Sequence, residues 1–97
     1  MGIAGPRIRD GEVMFLFKTL DAKKVAVAGS FNQWDAERNL LSGPDENGVW
    51  SISFPLKDGY YEYLFLVDGG KWFPDPSMPA VDDGLGGKNS AVTIKRP

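Results

Sequence analysis

No stretch of this 97-residue chain repeats its apolar positions at the 3.6 spacing of a helix over as many as about ten residues; they alternate instead. The longest alternating run is Tyr60–Val67, rich in aromatic and branched residues. Tyr61, Tyr63, Phe65 and Val67 are expected in the core. Tyr60, Glu62, Leu64 and Leu66 form the outward set, which holds the only charge and is unusually apolar for a solvent face. The same spacing predicts strands over Glu12–Leu20, with Val13, Phe15 and Phe17 inward, and over Lys24–Ala28, with Val25 and Val27 opposite small alanines. A short strand is expected at Arg38–Ser42 through Leu40 and Leu41. Val49–Phe54 follows with Trp50, Ile52 and Phe54 on one face, Trp50 in the core, and further strands fall at Lys71–Phe73 and Ala91–Lys95.

Turn residues separate these runs at Asp10-Gly11, Asn47-Gly48 and Asp68-Gly69-Gly70. Met1–Arg9 reads as a lead-in packed along a sheet edge. After Phe73, prolines, glycines and aspartates exclude regular elements over about fifteen residues, and a loop of that length usually binds or covers something. About seven short strands with frequent turns predict an all-β sandwich, one domain over residues 1–97.

The chain has no cysteine and no histidine. That removes Ser-His-Asp and Cys-His catalysis, disulfides and nearly all zinc sites, and only carboxylate chemistry remains. Asp68, Asp75, Asp82, Asp83 and Glu62 are the candidates for a carboxylate pair, and the loop aspartates for a calcium site. The aspartates occupy turn positions where the side chain caps backbone, EF-hand spacing is absent, and a small sandwich leaves little room for a deep cleft. A non-enzyme without metal or cofactor is expected. A net charge of −2 with scattered lysines and arginines argues against a nucleic-acid partner. No run approaches the length of a membrane span and the start lacks a signal-peptide core, so a soluble, cytoplasmic protein with no membrane partner is expected.

Two tryptophans point to a function. Trp34 closes Gly29-Ser-Phe-Asn-Gln-Trp, directly after the apolar run Val25–Ala28, and Trp72 follows the turn Asp68-Gly69-Gly70. A tryptophan normally packs in the core, but both lie at strand-to-loop junctions beside glycines, which favours exposure. An exposed indole forfeits roughly 1.5 to 3 kcal/mol of burial, a cost that a flat partner recovers. The apolar face of a pyranose is such a partner, and the amides of Asn32, Gln33 and Asn89 can donate to and accept from its hydroxyls. For Asn32 and Asn89, capping of their own turns is an equal alternative. Phe31 and Phe73 are expected in the core.

These residues resemble a known family. Gly29–Trp34, Tyr63–Gly69, Trp72, Asp75-Pro76 and Leu85-Gly86 through Asn89 are similar, in order and spacing, to carbohydrate-binding module family 48 over about Glu12–Lys95. That family includes the glycogen-binding domain of the AMP-activated kinase beta subunit and the amino-terminal modules of glycogen-branching and debranching enzymes. The resemblance implies an immunoglobulin-like early-set sandwich that binds α-1,4-glucans such as glycogen, starch, maltooligosaccharides or cyclodextrin without catalysis. It implies Trp34 and Trp72 stacking on successive glucoses, Leu85 projecting into the curve of the glucan, and Asn89 bonding hydroxyls. Leu64 stands where the kinase domain carries a sugar-contacting lysine, and Lys71, in a turn longer by one residue, is the candidate replacement. Weaker or altered glucan binding is the consequence. The alternative is an early-set structural domain that has lost sugar binding and uses Leu64 and Leu66 to dock a glycogen-metabolising enzyme, another partner or a second copy of itself.

Overall fold

The computed structural model describes residues 5–96, so the first four residues of the expected lead-in lie outside the described residues. Eight strands are present among the described residues: β1 (Arg7–Arg9), β2 (Glu12–Lys18), β3 (Val25–Gly29), β4 (Val49–Pro55), β5 (Gly59–Val67), β6 (Lys71–Phe73), β7 (Ala80–Asp82) and β8 (Lys88–Ile94). One antiparallel sheet runs in the order β1-β2-β4 and the other β3-β5-β8-β7, with β6 also paired to β5. The lead-in, expected to pack along a sheet edge without regular structure, forms an edge strand there from Arg7.

The alternation in β2 and β5 sets how the two sheets meet. Val13, Phe15 and Phe17 face Tyr63, Phe65 and Val67, with Val25, Val27, Trp50, Val92 and Ile94 completing the core. Phe15 meets the Tyr63 ring edge-on at 5.0 Å, and Phe17 packs against Phe65 at 4.6 Å. Each such ring sealed from water contributes roughly 1.5 to 3 kcal/mol. The strand periodicity of the sequence therefore translates directly into a sandwich core.

Several expectations are corrected. Arg38–Ser42 forms no strand: it makes only the bridges Ala26–Leu40 and Ser42–Ser51, with Leu41 buried and Leu40 exposed. The segment bonds β3 through Leu41 N to Val25 O and then β4 through Ser42 N to Ser51 O, and a chain that changes sheets within two residues cannot build a ladder. The long loop after Phe73 contains β7, which pairs Ala80 with Ser90 and Asp82 with Lys88, so β8 starts three residues before Ala91. Phe73 is 40% exposed at the end of the sheet, one face against Phe17 at 6.0 Å. Phe31 is half-buried and packs against Phe15 and Phe54.

Candidate functional site

The Gly29–Trp34 turn is built to present one side chain. A β-carbon on Gly29 would lie 2.5 Å from Glu62 O and 2.8 Å from the Phe31 ring, so only glycine lets the end of β3 approach β5 this closely. Asn32 is 4% exposed and spends both ends of its amide on the scaffold. Its Oδ1 accepts from Gly29 N at 3.0 Å, and its Nδ2 donates to Val27 O and to Asn39 Oδ1. Of the two roles open to Asn32 from the sequence, the structure gives it backbone capping.

The turn then passes through two consecutive left-handed residues, Gln33 at φ 56° and Trp34 at φ 59°. This conformation costs about 1–2 kcal/mol per non-glycine residue, and the Asn32 bonds together with Trp34 N donating to Gly29 O at 2.9 Å hold it in place. Trp34 is left 39% exposed.

The second tryptophan is placed by register. Trp72 lies opposite Leu66 in the β5–β6 pair, so it shares the outward face of β5 with Leu66, Leu64, Glu62 and Tyr60. It is 49% exposed. Leu64 and Leu66 are half-buried on this face beside the alanines of β3. Glu62, near Trp34, and Leu66, beside Trp72, are separated by about 13 Å along the strand. Lys71 pairs with Val67 instead, and Phe73 with Phe65. The register therefore puts Lys71 on the face opposite Leu64 and Trp72, and the structure does not bring it to the position left without a lysine.

The β7–β8 loop supplies Leu85, which is 91% exposed. Its backbone is nonetheless fixed: Leu85 N and Gly87 N donate to Asp83 Oδ1 at 2.7 and 3.0 Å, and Gly84 N donates to Asp82 Oδ1. The donation from Leu85 N, then that from Gly87 N, holds the Asp83 carboxyl below the usual carboxylate range.

Asn89, on β8, is buried and does not cap its own turn. Its Nδ2 donates to Glu62 Oε1 at 3.1 Å across to β5, and Glu62 Oε2 accepts from Tyr60 Oη at 3.0 Å. Ser30, Trp34, Tyr60, Glu62, Asp83 and Asn89 line one cavity of about 410 Å³. Tyr60 and Ser30 were not singled out for a site from the sequence, and Glu62 was considered only as a member of a carboxylate pair, although Tyr60 and Glu62 stand two apart on the outward face of β5.

Asp68 and Asp75, the other carboxylates considered from the sequence, bond the scaffold. Asp68 Oδ1 accepts from Lys23 N at 2.8 Å and Lys24 N at 2.9 Å, which lowers its pKa, and Asp75 is buried against Tyr63 and Ser77. Among the described residues no group of three or more acidic side chains could hold a metal ion.

Residues 12–97 match the family described as the glycogen recognition site of AMP-activated protein kinase. The chain is 41% identical over 73 residues to Protein PTST homolog 2, chloroplastic, of Arabidopsis thaliana, covering 75% of this chain and 13% of that protein. It is 38% identical over 74 residues to the 5'-AMP-activated protein kinase subunit beta-1 of Sus scrofa, covering 76% of this chain and 57% of that one. Against subunit beta-2 of Homo sapiens the identity is 34% over 74 residues, 76% of this chain and 26% of that subunit. The chain thus corresponds to a part of each of these relatives.

Proposed function

The chain belongs to the family of the glycogen recognition site of AMP-activated protein kinase and is a non-catalytic carbohydrate-binding module, and from that premise we propose that it binds α-1,4-glucans by stacking successive glucose rings on Trp34 and Trp72. The observation that carries this reading is the exposure of both indoles at the two ends of the outward row of β5. Leu85 projects from its locked turn into the curve of the glucan, and Asn89 offers its amide oxygen to a sugar hydroxyl. Leu64 gives the middle of the face an apolar contact and no donor. Affinity is accordingly weaker than a lysine at this position would provide.

Adding maltoheptaose or β-cyclodextrin is expected to quench the tryptophan fluorescence, and Trp72→Ala is expected to abolish retention of the chain in a glycogen-containing gel. Retention unchanged by that substitution would remove the proposed platform.

The apolar middle of the same face supports a second reading, in which Leu64 and Leu66, with exposed Leu40, dock a protein partner or a second copy. A sedimenting dimer that responds to no glucan would favour it.

A further inference from the structure

The cavity beside Trp34, of about 410 Å³, combines aromatic side chains with carboxylate and amide groups. Trp34 forms one wall and Tyr60, 56% exposed, another. An exposed tyrosine ordinarily samples several rotamers, but the Tyr60 hydroxyl is tethered to Glu62 Oε2 at 3.0 Å, so the ring is held without being buried. The other Glu62 oxygen accepts a hydrogen bond from Asn89 Nδ2, which fixes the amide and leaves Asn89 Oδ1 as an acceptor. The Glu62 backbone is held in turn, its N–H donating to Ser30 Oγ at 3.2 Å and its carbonyl accepting from Ser30 N at 2.9 Å.

The polar side-chain atoms left to a ligand here are therefore mostly acceptors: the second lone pairs of the Glu62 carboxylate, Asn89 Oδ1 and the Tyr60 oxygen. Among the described residues no lysine or arginine lines the cavity, which includes the carboxylate side chains of Glu62 and Asp83. Two aromatic walls with a rim of acceptors suit a ligand that has an apolar ring face and many hydroxyl donors. An anionic group would be repelled.

We infer that the face carries one further sugar subsite beyond Trp34, built by Tyr60 and Glu62, which takes an uncharged glucose unit of a longer glucan. The inference rests on the glucan-binding reading above and extends the site past its two tryptophans. Tyr60 contributes ring contact, and Glu62 both accepts from a sugar hydroxyl and positions Tyr60 and Asn89.

Chain length provides the test, because a short oligosaccharide seated on the tryptophans leaves the subsite empty. The 97-residue chain and its Tyr60→Ala and Glu62→Gln variants would be titrated calorimetrically with maltotriose and with maltoheptaose. Each substitution is expected to weaken maltoheptaose binding about fivefold while weakening maltotriose binding clearly less. Equal losses for the two sugars, or no loss for either, would overturn the subsite while leaving the tryptophan platform standing. A wild-type chain that binds neither sugar would overturn the glucan reading itself, and the subsite with it.

Discussion

The hydroxyl of Tyr63, sealed in the sandwich interior, donates to Asp75 Oδ2 at 2.8 Å and thereby ties the centre of β5 to the loop that follows β6. Asp75 Oδ1 accepts from Ser77 N at 3.0 Å and Ser77 Oγ at 2.6 Å, and Asp75 N donates to Ser90 Oγ at 2.7 Å on β8. One buried carboxylate thus joins the strand that carries the outward row to the segment that leads to Leu85. The network runs from the interior to the surface: Tyr63, Asp75 and Ser90 are buried, and Ser77 is exposed.

Tyr63→Phe keeps the ring and removes the donor, leaving a buried carboxylate oxygen short of one bond. A loss of about 1–3 kcal/mol in unfolding free energy is expected, read from urea titrations. Burial first, and then the neighbouring Asp75 charge, push the Tyr63 pKa far above its ordinary value of 10.0. Because the folded state holds the proton more tightly than the unfolded chain, the contribution is complete below about pH 10 and declines as pH rises above it. The phenylalanine variant is expected to lose stability less steeply above about pH 10 than the wild type does. Parallel profiles would show that the phenol does not couple the fold to alkaline pH.

Leu64→Lys places a charged donor in the middle of the outward face, between Glu62 and Leu66 on the same strand. A hydrogen bond to a charged group contributes about 1.5–3 kcal/mol, so glucan affinity is expected to rise roughly ten- to a hundredfold, measured by titration with β-cyclodextrin. Lys71→Ala is expected to change that affinity little, since Lys71 sits on the opposite face of the sheet. The reverse pattern would mean that the face used for sugar is not the one bearing the tryptophans.

Arg96 closes the far end of the sandwich. Its Nη1 donates to Asp58 Oδ1 at 2.6 Å, its Nη2 to Gly11 O at 3.0 Å and Leu56 O at 2.7 Å, and its backbone N–H to Asp58 Oδ2 at 3.2 Å. The backbone donation, and then the guanidinium bond, hold the Asp58 carboxyl below its ordinary 3.8. A depressed folded-state pKa gives stability that is present above about pH 4 and lost as pH falls through the lowered value. Arg96→Ala is expected to lower the urea midpoint at neutral pH and to flatten its fall on acidification below pH 4. Arg96→Lys keeps the charge without the planar fork and should recover only part of the loss.

Much of this protein can be read from its order of residues, because the relevant signals are local. The alternation of Val13, Phe15 and Phe17, and of Tyr61, Tyr63, Phe65 and Val67, assigns each side chain to a face without reference to any other strand. Glycine beside Trp34 and near Trp72 marks ring-bearing junctions, and the lack of cysteine and histidine removes whole classes of chemistry. Other features follow from partners distant along the chain. The face taken by Lys71 depends on how many residues the preceding turn contains, since a slip of one residue inverts a strand as short as β6. β7 exists because β8 lies beside it, and Arg38–Ser42 fails as a strand because it is shared between two sheets. The contact of Asn89 with Glu62, 27 residues earlier, and the cavity they line with Tyr60 arise only when β5 and β8 are in register. Periodicity along one strand is encoded by neighbours, whereas a site spanning several strands is encoded by pairing, and pairing is decided only when the whole sandwich closes.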